Sequence, residues 1–319
     1  MIMGKRWLFA ALALVLAGVA VCTASMAALG FDFRALGTEK YETKTYPVGE
    51  NFENISINVN TDKLHVLPAE DGACRVVCRE TEKVTHTVEV QKGSLSIGTV
   101  DKRSWIDHIG INVGTPEITV YLPKESYGAL TVETDTGDID ISETFTFQSI
   151  RISGDTSDVS CRANVSGALE IGLSTGDIDL ADIEAGSMDL KVSTGRVTVE
   201  SAVCKGDVSI HLSTGKTMLD GLTCANLRTD GSTGDITLKD VVASGAFRIE
   251  RTTGEVRFEN ADAQEISVTT DTGEVKGTLR SEKIFFTESD TGKISVPKSV
   301  TGGRCEITTD TGDIEITVP

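Results

Sequence analysis

The sequence predicts an all-β, single-domain parallel β-solenoid (a β-helix) of 19–20-residue coils, preceded by an N-terminal transmembrane helix. Three observations predict it. A short phrase recurs at a fixed period, apolar residues alternate with period two on both sides of that phrase, and one long uncharged apolar run lies near the N-terminus.

The phrase is clearest at Thr134–Ile139 and again at Thr309–Ile314, both reading TDTGDI. Its glycine falls at Gly137, Gly176, Gly195, Gly215, Gly234, Gly254, Gly273, Gly292 and Gly312, with Ser157 holding the place in a weaker copy, and every step is 19 or 20 residues. A fixed period of this length marks a solenoid. Thr precedes the glycine in all ten copies, and two residues after it stands Ile or Val in nine, Thr217 being the exception. Before it come apolar pairs such as Leu169/Ile171, Met188/Leu190, Val208/Ile210 and Phe247/Ile249. Each copy thus holds two short strands joined at a glycine corner, where positive φ costs glycine nothing. One coil cannot bury its apolar row; coils stacked about 4.8 Å apart can, as ladders of Ile and Val. The threonine column is expected to satisfy corner backbone groups through its hydroxyls. A degraded copy, Asn54–Pro68, puts Ile55, Ile57, Leu64 and Val66 in register with Asp62 at the corner.

The N-terminal run extends from Trp7 to Leu29, behind Lys5 and Arg6, with no charge until Asp32. About 20 apolar residues span a bilayer, and basic residues before the span place the N-terminus inside. The expected organisation is a cytoplasmic segment 1–6, an anchor 7–29, a polar stalk 30–52 and a solenoid 53–319, irregular over 53–128 and regular over 129–319. Its location is the cell membrane, single-pass, with the C-terminal domain extracytoplasmic. A cleaved signal peptide, with its small-x-small site at Ser25-Met26-Ala27, is the alternative. A lipoprotein site at Cys22 is disfavoured by Val21 before it.

A net charge of −18 repels phosphates and argues against nucleic acid as a partner. Ser213–Thr217, STGKT, looks like the tail of a phosphate loop, but Ile210 stands where the first glycine of that motif belongs. The four histidines, His65, His86, His108 and His211, show no metal-ligand spacing and suggest no Ser–His–Asp set. Asp271, Asp290 and Asp310 share one column in the last three coils. Calcium could bridge such carboxylates, although a solvated acidic face interspersed with Lys293, Lys216 and Arg196 is the plainer reading. Cys204 and Cys224, nine residues after their corners, are either stacked thiols or a disulfide. No catalytic residue, cofactor or metal is assigned. The one clear break in rhythm, 101–115, gathers Lys102, Arg103, Trp105, Asp107 and His108, a mixed-charge patch around an aromatic that suits partner binding; the alternative is that Trp105 plugs the open end of the first coils or rests on the lipid interface.

The STGDI copies at Ser174–Ile178 and Ser232–Ile236, TDTGEV at Thr270–Val275, the LGFDF junction at Leu29–Phe33 and the ending RCEITTDTGDIEI resemble a family of exported bacterial β-strand-repeat proteins known as putative adhesins, common in Firmicutes. The resemblance covers nearly the whole chain. It implies a membrane-anchored solenoid facing outward, without transferable catalytic residues, and some relatives accompany envelope-stress systems. The expected function is a non-catalytic adhesin or envelope interaction module whose partner is an envelope protein or glycan. The alternatives are a self-associating scaffold, joined through an open C-terminal coil at Val318-Pro319, an envelope-stress accessory protein and, remotely, an enzyme acting on polysaccharide.

Overall fold

The computed structural model describes residues 3–28, 40–104 and 115–319 and shows a single-domain, all-β parallel solenoid. Inward-facing residues stack coil upon coil. On one side Ile150, Leu169, Met188, Val208, Leu227, Phe247 and Ile266 form a continuous ladder. On the next, Ile139, Val159, Ile178, Val197, Thr217, Ile236, Val256 and Val275 do the same. A third, shorter run closes each coil, pairing Phe147 with Val165 and Cys224 with Ala243. All these side chains are buried. Burying an aliphatic side chain fully is worth about 1.5–3 kcal/mol relative to exposure, so the ladders supply the main cohesion. Cys204 and Cys224 are buried free thiols in this third run.

The corner chemistry differs from expectation in one respect. The threonines before the glycines point outward, and it is their backbone carbonyls that serve the corners. Gly234 N–H donates to Thr253 O at 2.8 Å and Gly273 N–H to Thr311 O at 2.9 Å. The recurrent aspartate after the glycine adds a second tie, since Asp158 Oδ1 accepts from Asp177 N–H and Asp235 Oδ1 from Glu255 N–H. A second corner, six residues after the glycine, has positive φ at Asp182, Ser201, Gly221, Asp240 and Asn260. Asp, Asn and Gly tolerate that conformation best.

The ends of the rod do not follow chain order. Near the N-terminus lie strands β1 (Glu42–Pro47), β2 (Asn54–Val59), β3 (Lys63–Pro68), β4 (Arg75–Glu80), β5 (Val84–Gln91), β6 (Ser94–Asp101), β7 (Glu117–Leu122) and β8 (Ser126–Thr136). Strand β2 sits between β6 and β8, while β3 sits between β7 and Ile139–Ile141. The first coil in sequence is therefore inboard. It is covered by β6 and β7 and then by antiparallel strands, β5 on β6 and β4 on β7. Residues 42–47, placed by the sequence reading in a polar stalk, instead pair antiparallel with β4. Tyr46 docks them, with its ring against the core and its hydroxyl donating to Glu80 Oε1 at 2.6 Å.

At the other end the strand Gly303–Thr311 inserts between Val256–Thr272 and Lys283–Thr291. The last coil in sequence is again inboard, and the outermost coil is 283–296. This corrects the expectation of an open end at Val318-Pro319.

Helix α1 (Met3–Ala28) precedes the solenoid. Among the described residues no helix is long and apolar enough to cross a membrane. The structure therefore does not support the expected span at 7–29.

Candidate functional site

Polar side chains converge in the core at the N-terminal cap. Strand β4 carries Val76, Cys78 and Glu80 inward in alternation, and all three are buried. Glu80 thus continues an apolar row with a carboxylate. Asp62, at the corner beneath Gly137, is 1% exposed. Between these acids lies His86 of β5, whose side chain is fully buried.

Both imidazole nitrogens face carboxylate oxygens. Nε2–H donates to Asp62 Oδ1 at 2.9 Å and Nδ1–H to Glu80 Oε1 at 3.1 Å. His86 N–H also donates to Glu80 Oε1, at 2.9 Å, and Thr99 Oγ1–H donates to Asp62 Oδ2 at 3.1 Å. Lys44 Nζ forms an ion pair with Glu80 Oε2 at 2.7 Å. Burial disfavours the imidazolium, but bonds to Asp62 and Glu80 outweigh it and raise the His86 pKa. Burial pushes Glu80 up, and bonds from Lys44, Tyr46 and His86 bring it below the ordinary value. The Cys78 thiol is pushed up to about 12, chiefly by burial and then by Glu80 and Asp62. Five elements meet here: β1 through Tyr46 and Lys44, the first corner through Asp62, β4 through Glu80 and Cys78, β5 through His86, and β6 through Thr99.

The sequence reading found no metal-ligand spacing among the histidines. The structure revises this for His86, because its nitrogen, the Cys78 sulfur and a Glu80 oxygen lie within 4.8 Å of one another. The signal was present as a charged residue in the inward register of β4, six residues before a histidine.

The predicted patch fares differently. Lys102 is exposed and gives its N–H to Lys83 O, while Arg103 forks onto Asp101, with Nη2 to Oδ2 at 2.6 Å. Trp105, Asp107 and His108 lie outside the described residues. The acidic column exists, in the spatial order Asp271, Asp310, Asp290. All three are exposed, and three carboxylates open to water fall short of the six to eight oxygens calcium takes.

One constellation was missed. His211 Nδ1 meets Asp230 Oδ2 at 2.5 Å, and Ser213 Oγ lies 3.3 Å from His211 Nε2. Period-two alternation and the 19-residue step bring them together on the outer face. His211 is 48% exposed there, so water screens the pair. Catalysis of acyl transfer also needs donors preorganised for an oxyanion in a water-excluded site, and this flat ladder encloses none among the described residues.

The stacked ladders, the glycine corners and the two inboard terminal coils define a parallel β-solenoid with an antiparallel cap. The chain belongs to the Toastrack DUF4097 family, whose model matches residues 52–213 and 199–319. In structure the chain is similar to a putative adhesin from Parabacteroides merdae, at 9% identity and TM-score 0.50 over 88% of this chain and 98% of that one. It is also similar to a putative adhesin from Parabacteroides distasonis, at 14% identity and TM-score 0.47 over 76% and 97%. At such identities the likeness concerns the fold. No curated protein matches the sequence.

Proposed function

We propose that the chain is a non-catalytic, extracytoplasmic β-solenoid, tethered by its N-terminal helix, that acts as an adhesin-like module toward an envelope protein or glycan. The observation that carries this reading is the outer surface of the coils. Polar chemistry there is repeated along the rod rather than converged in a cleft: Arg151 pairs with Glu170, Lys239 with Asp220 and Arg228 with Glu250 on successive coils. An enzyme needs converging, non-repeating groups in a pocket, whereas a rigid array of repeated charges suits a surface that presents itself to a partner. The adhesin designation of the Parabacteroides merdae protein agrees with this. The tether rests on Lys5 and Arg6 ahead of the apolar run, and on Leu12, Leu14, Val15, Leu16, Val19 and Val21, which are exposed on all sides of α1.

In intact producing cells, added protease should remove a tag at the C-terminus, and an impermeant lysine crosslinker should join the full-length chain to an envelope component. A tag that survives until lysis would end the extracytoplasmic placement. A chain that crosslinks to nothing would end the binding role.

A second reading, association of copies, has its own observation. The outermost coil leaves Ile284, Phe286 and Ile294 exposed beside a strand edge that has no partner among the described residues, the kind of edge that templates pairing. In detergent, the wild-type chain would then sediment as a dimer and Phe286→Lys as a monomer. Monomeric wild type would remove this reading.

A further inference from the structure

We propose that Cys78, Glu80 and His86 form a buried structural site for a zinc-type divalent cation that clasps the N-terminal cap onto the rod. Three features of the cluster point to a metal beyond the hydrogen-bonded network itself. The first is ligand chemistry and reach. A thiol, an imidazole and a carboxylate present one donor atom each within 4.8 Å of one another, all from buried residues. Tetrahedral zinc binds sulfur at about 2.3 Å and nitrogen or oxygen at about 2.0–2.2 Å, so its ligand atoms sit roughly 3.3–3.6 Å apart. His86 Nδ1 and Glu80 Oε1, 3.1 Å apart, already stand close to that spacing, and the sulfur needs only a small approach.

The second is the lightly held oxygen. Glu80 Oε2 is buried, and its contact is the Lys44 ammonium at 2.7 Å. A cation there would replace the ammonium and take one Glu80 oxygen together with Cys78 and His86, three protein donors. Lys44 now stands beside that oxygen, but its side chain is 47% exposed and free to turn into water. The third is the backing group. Asp62 accepts from His86 Nε2, and a carboxylate behind a ligating histidine fixes the ring and its tautomer in metal sites generally.

Without metal, the imidazolium and Lys44 offset Glu80 and Asp62. With metal, the thiol and Nδ1 protons leave to solvent, the dication is offset by thiolate and Glu80, and Asp62 keeps its charge, held by His86 Nε2–H and Thr99 Oγ1–H. The site is buried within the cap, so its role is to hold structure together. It joins β4 and β5 to each other and, through Asp62, to the first coil.

The test uses the full-length chain in detergent, stripped with a chelator and then incubated with Zn²⁺ or Co²⁺. About one zinc per chain should remain after desalting. Cobalt should give a near-ultraviolet thiolate charge-transfer band with the intense visible bands of tetrahedral coordination, and zinc should raise Tm. Cys78→Ala should abolish the thiolate band, while Cys161→Ala, at another buried thiol, should keep it. If removing His86 prevents folding, Asp62→Asn gives the same information, with affinity weaker by about 10- to 100-fold. Less than about 0.1 zinc per chain, a cobalt spectrum without the thiolate band, or a Cys78→Ala variant that binds as well as wild type would each overturn the proposal. The cluster would then be a proton-bridged clamp only.

Discussion

At Gly234, φ is +130° and an added Cβ would lie 1.7 Å from Gly215 O of the preceding coil. Gly273 needs glycine for the second reason alone, since Gly254 O lies 1.9 Å from its Cβ position. The corner column is thus a close approach of backbone to backbone, more than a requirement for a left-handed residue. Gly234→Val should therefore be severe, with strain of about 1–3 kcal/mol before any displacement of the coil. Asp235→Asn keeps the acceptor for Glu255 N–H and should stay within about 0.5 kcal/mol. Thermal unfolding separates them, and equal shifts would mean the corner has been misread. The second corner predicts the opposite sign. Ser201 has φ +52° and is exposed. Ser201→Gly should raise stability by about 1 kcal/mol, the order of the left-handed penalty for a residue with a Cβ. A lower Tm would show that this corner carries no strain.

Among the elements, the regular coils were legible because one coil repeats another. Val197 and Ile236 announce their inward place by position relative to a glycine. The cap was less legible, since β1, β4 and β5 pair antiparallel and their partners are set by tertiary packing that no period encodes. The sequence reading took residues 42–47 for stalk because ETKTYP is polar. It did not foresee that Tyr46 would pack on the core and donate to a buried carboxylate. It separated His86 from Glu80 and Cys78 because metal-ligand spacing was sought between histidines, whereas here the ligating register runs along one strand and across a turn. The second corner at Asp182, Asp240 and Asn260 was readable in principle, as a column of residues that tolerate positive φ. Tyr46→Phe tests the docking of β1. It removes a hydrogen bond to a charged acceptor, worth about 1.5–3 kcal/mol. Limited proteolysis should then cut before β2 sooner than in wild type while the regular coils stay protected. Unchanged cleavage would mean β1 is held by its backbone pairing alone.

For the whole molecule, coil order in space and in sequence part company at both ends, and this changes what a truncation removes. In a plain solenoid each repeat touches only its neighbours, so losing the last one leaves the rest nearly intact. Here the last coil in sequence lies between two others. Deleting residues 303–319 would strip strand Lys283–Thr291 of its one strand partner among the described residues and uncover Ile266 and Val268, both buried in the native rod. Deleting residues 281–300 should be far milder, although it is longer and internal. Gly273 and Gly312 are 39 residues apart in sequence, and removing 20 leaves 19, which is the regular period. These two corners already stack directly, Gly273 N–H donating to Thr311 O at 2.9 Å, so the final coil would follow its neighbour as an ordinary turn. Its strand edge would then become the end of the rod, and the exposed Phe286 and Ile294 would be gone. The 281–300 deletion should therefore accumulate and unfold cooperatively with a modest loss in Tm, whereas the 303–319 deletion should be degraded or melt much earlier. If the two deletions behave in the reverse order, the last coil is terminal in space as well as in sequence, and the inserted arrangement is wrong.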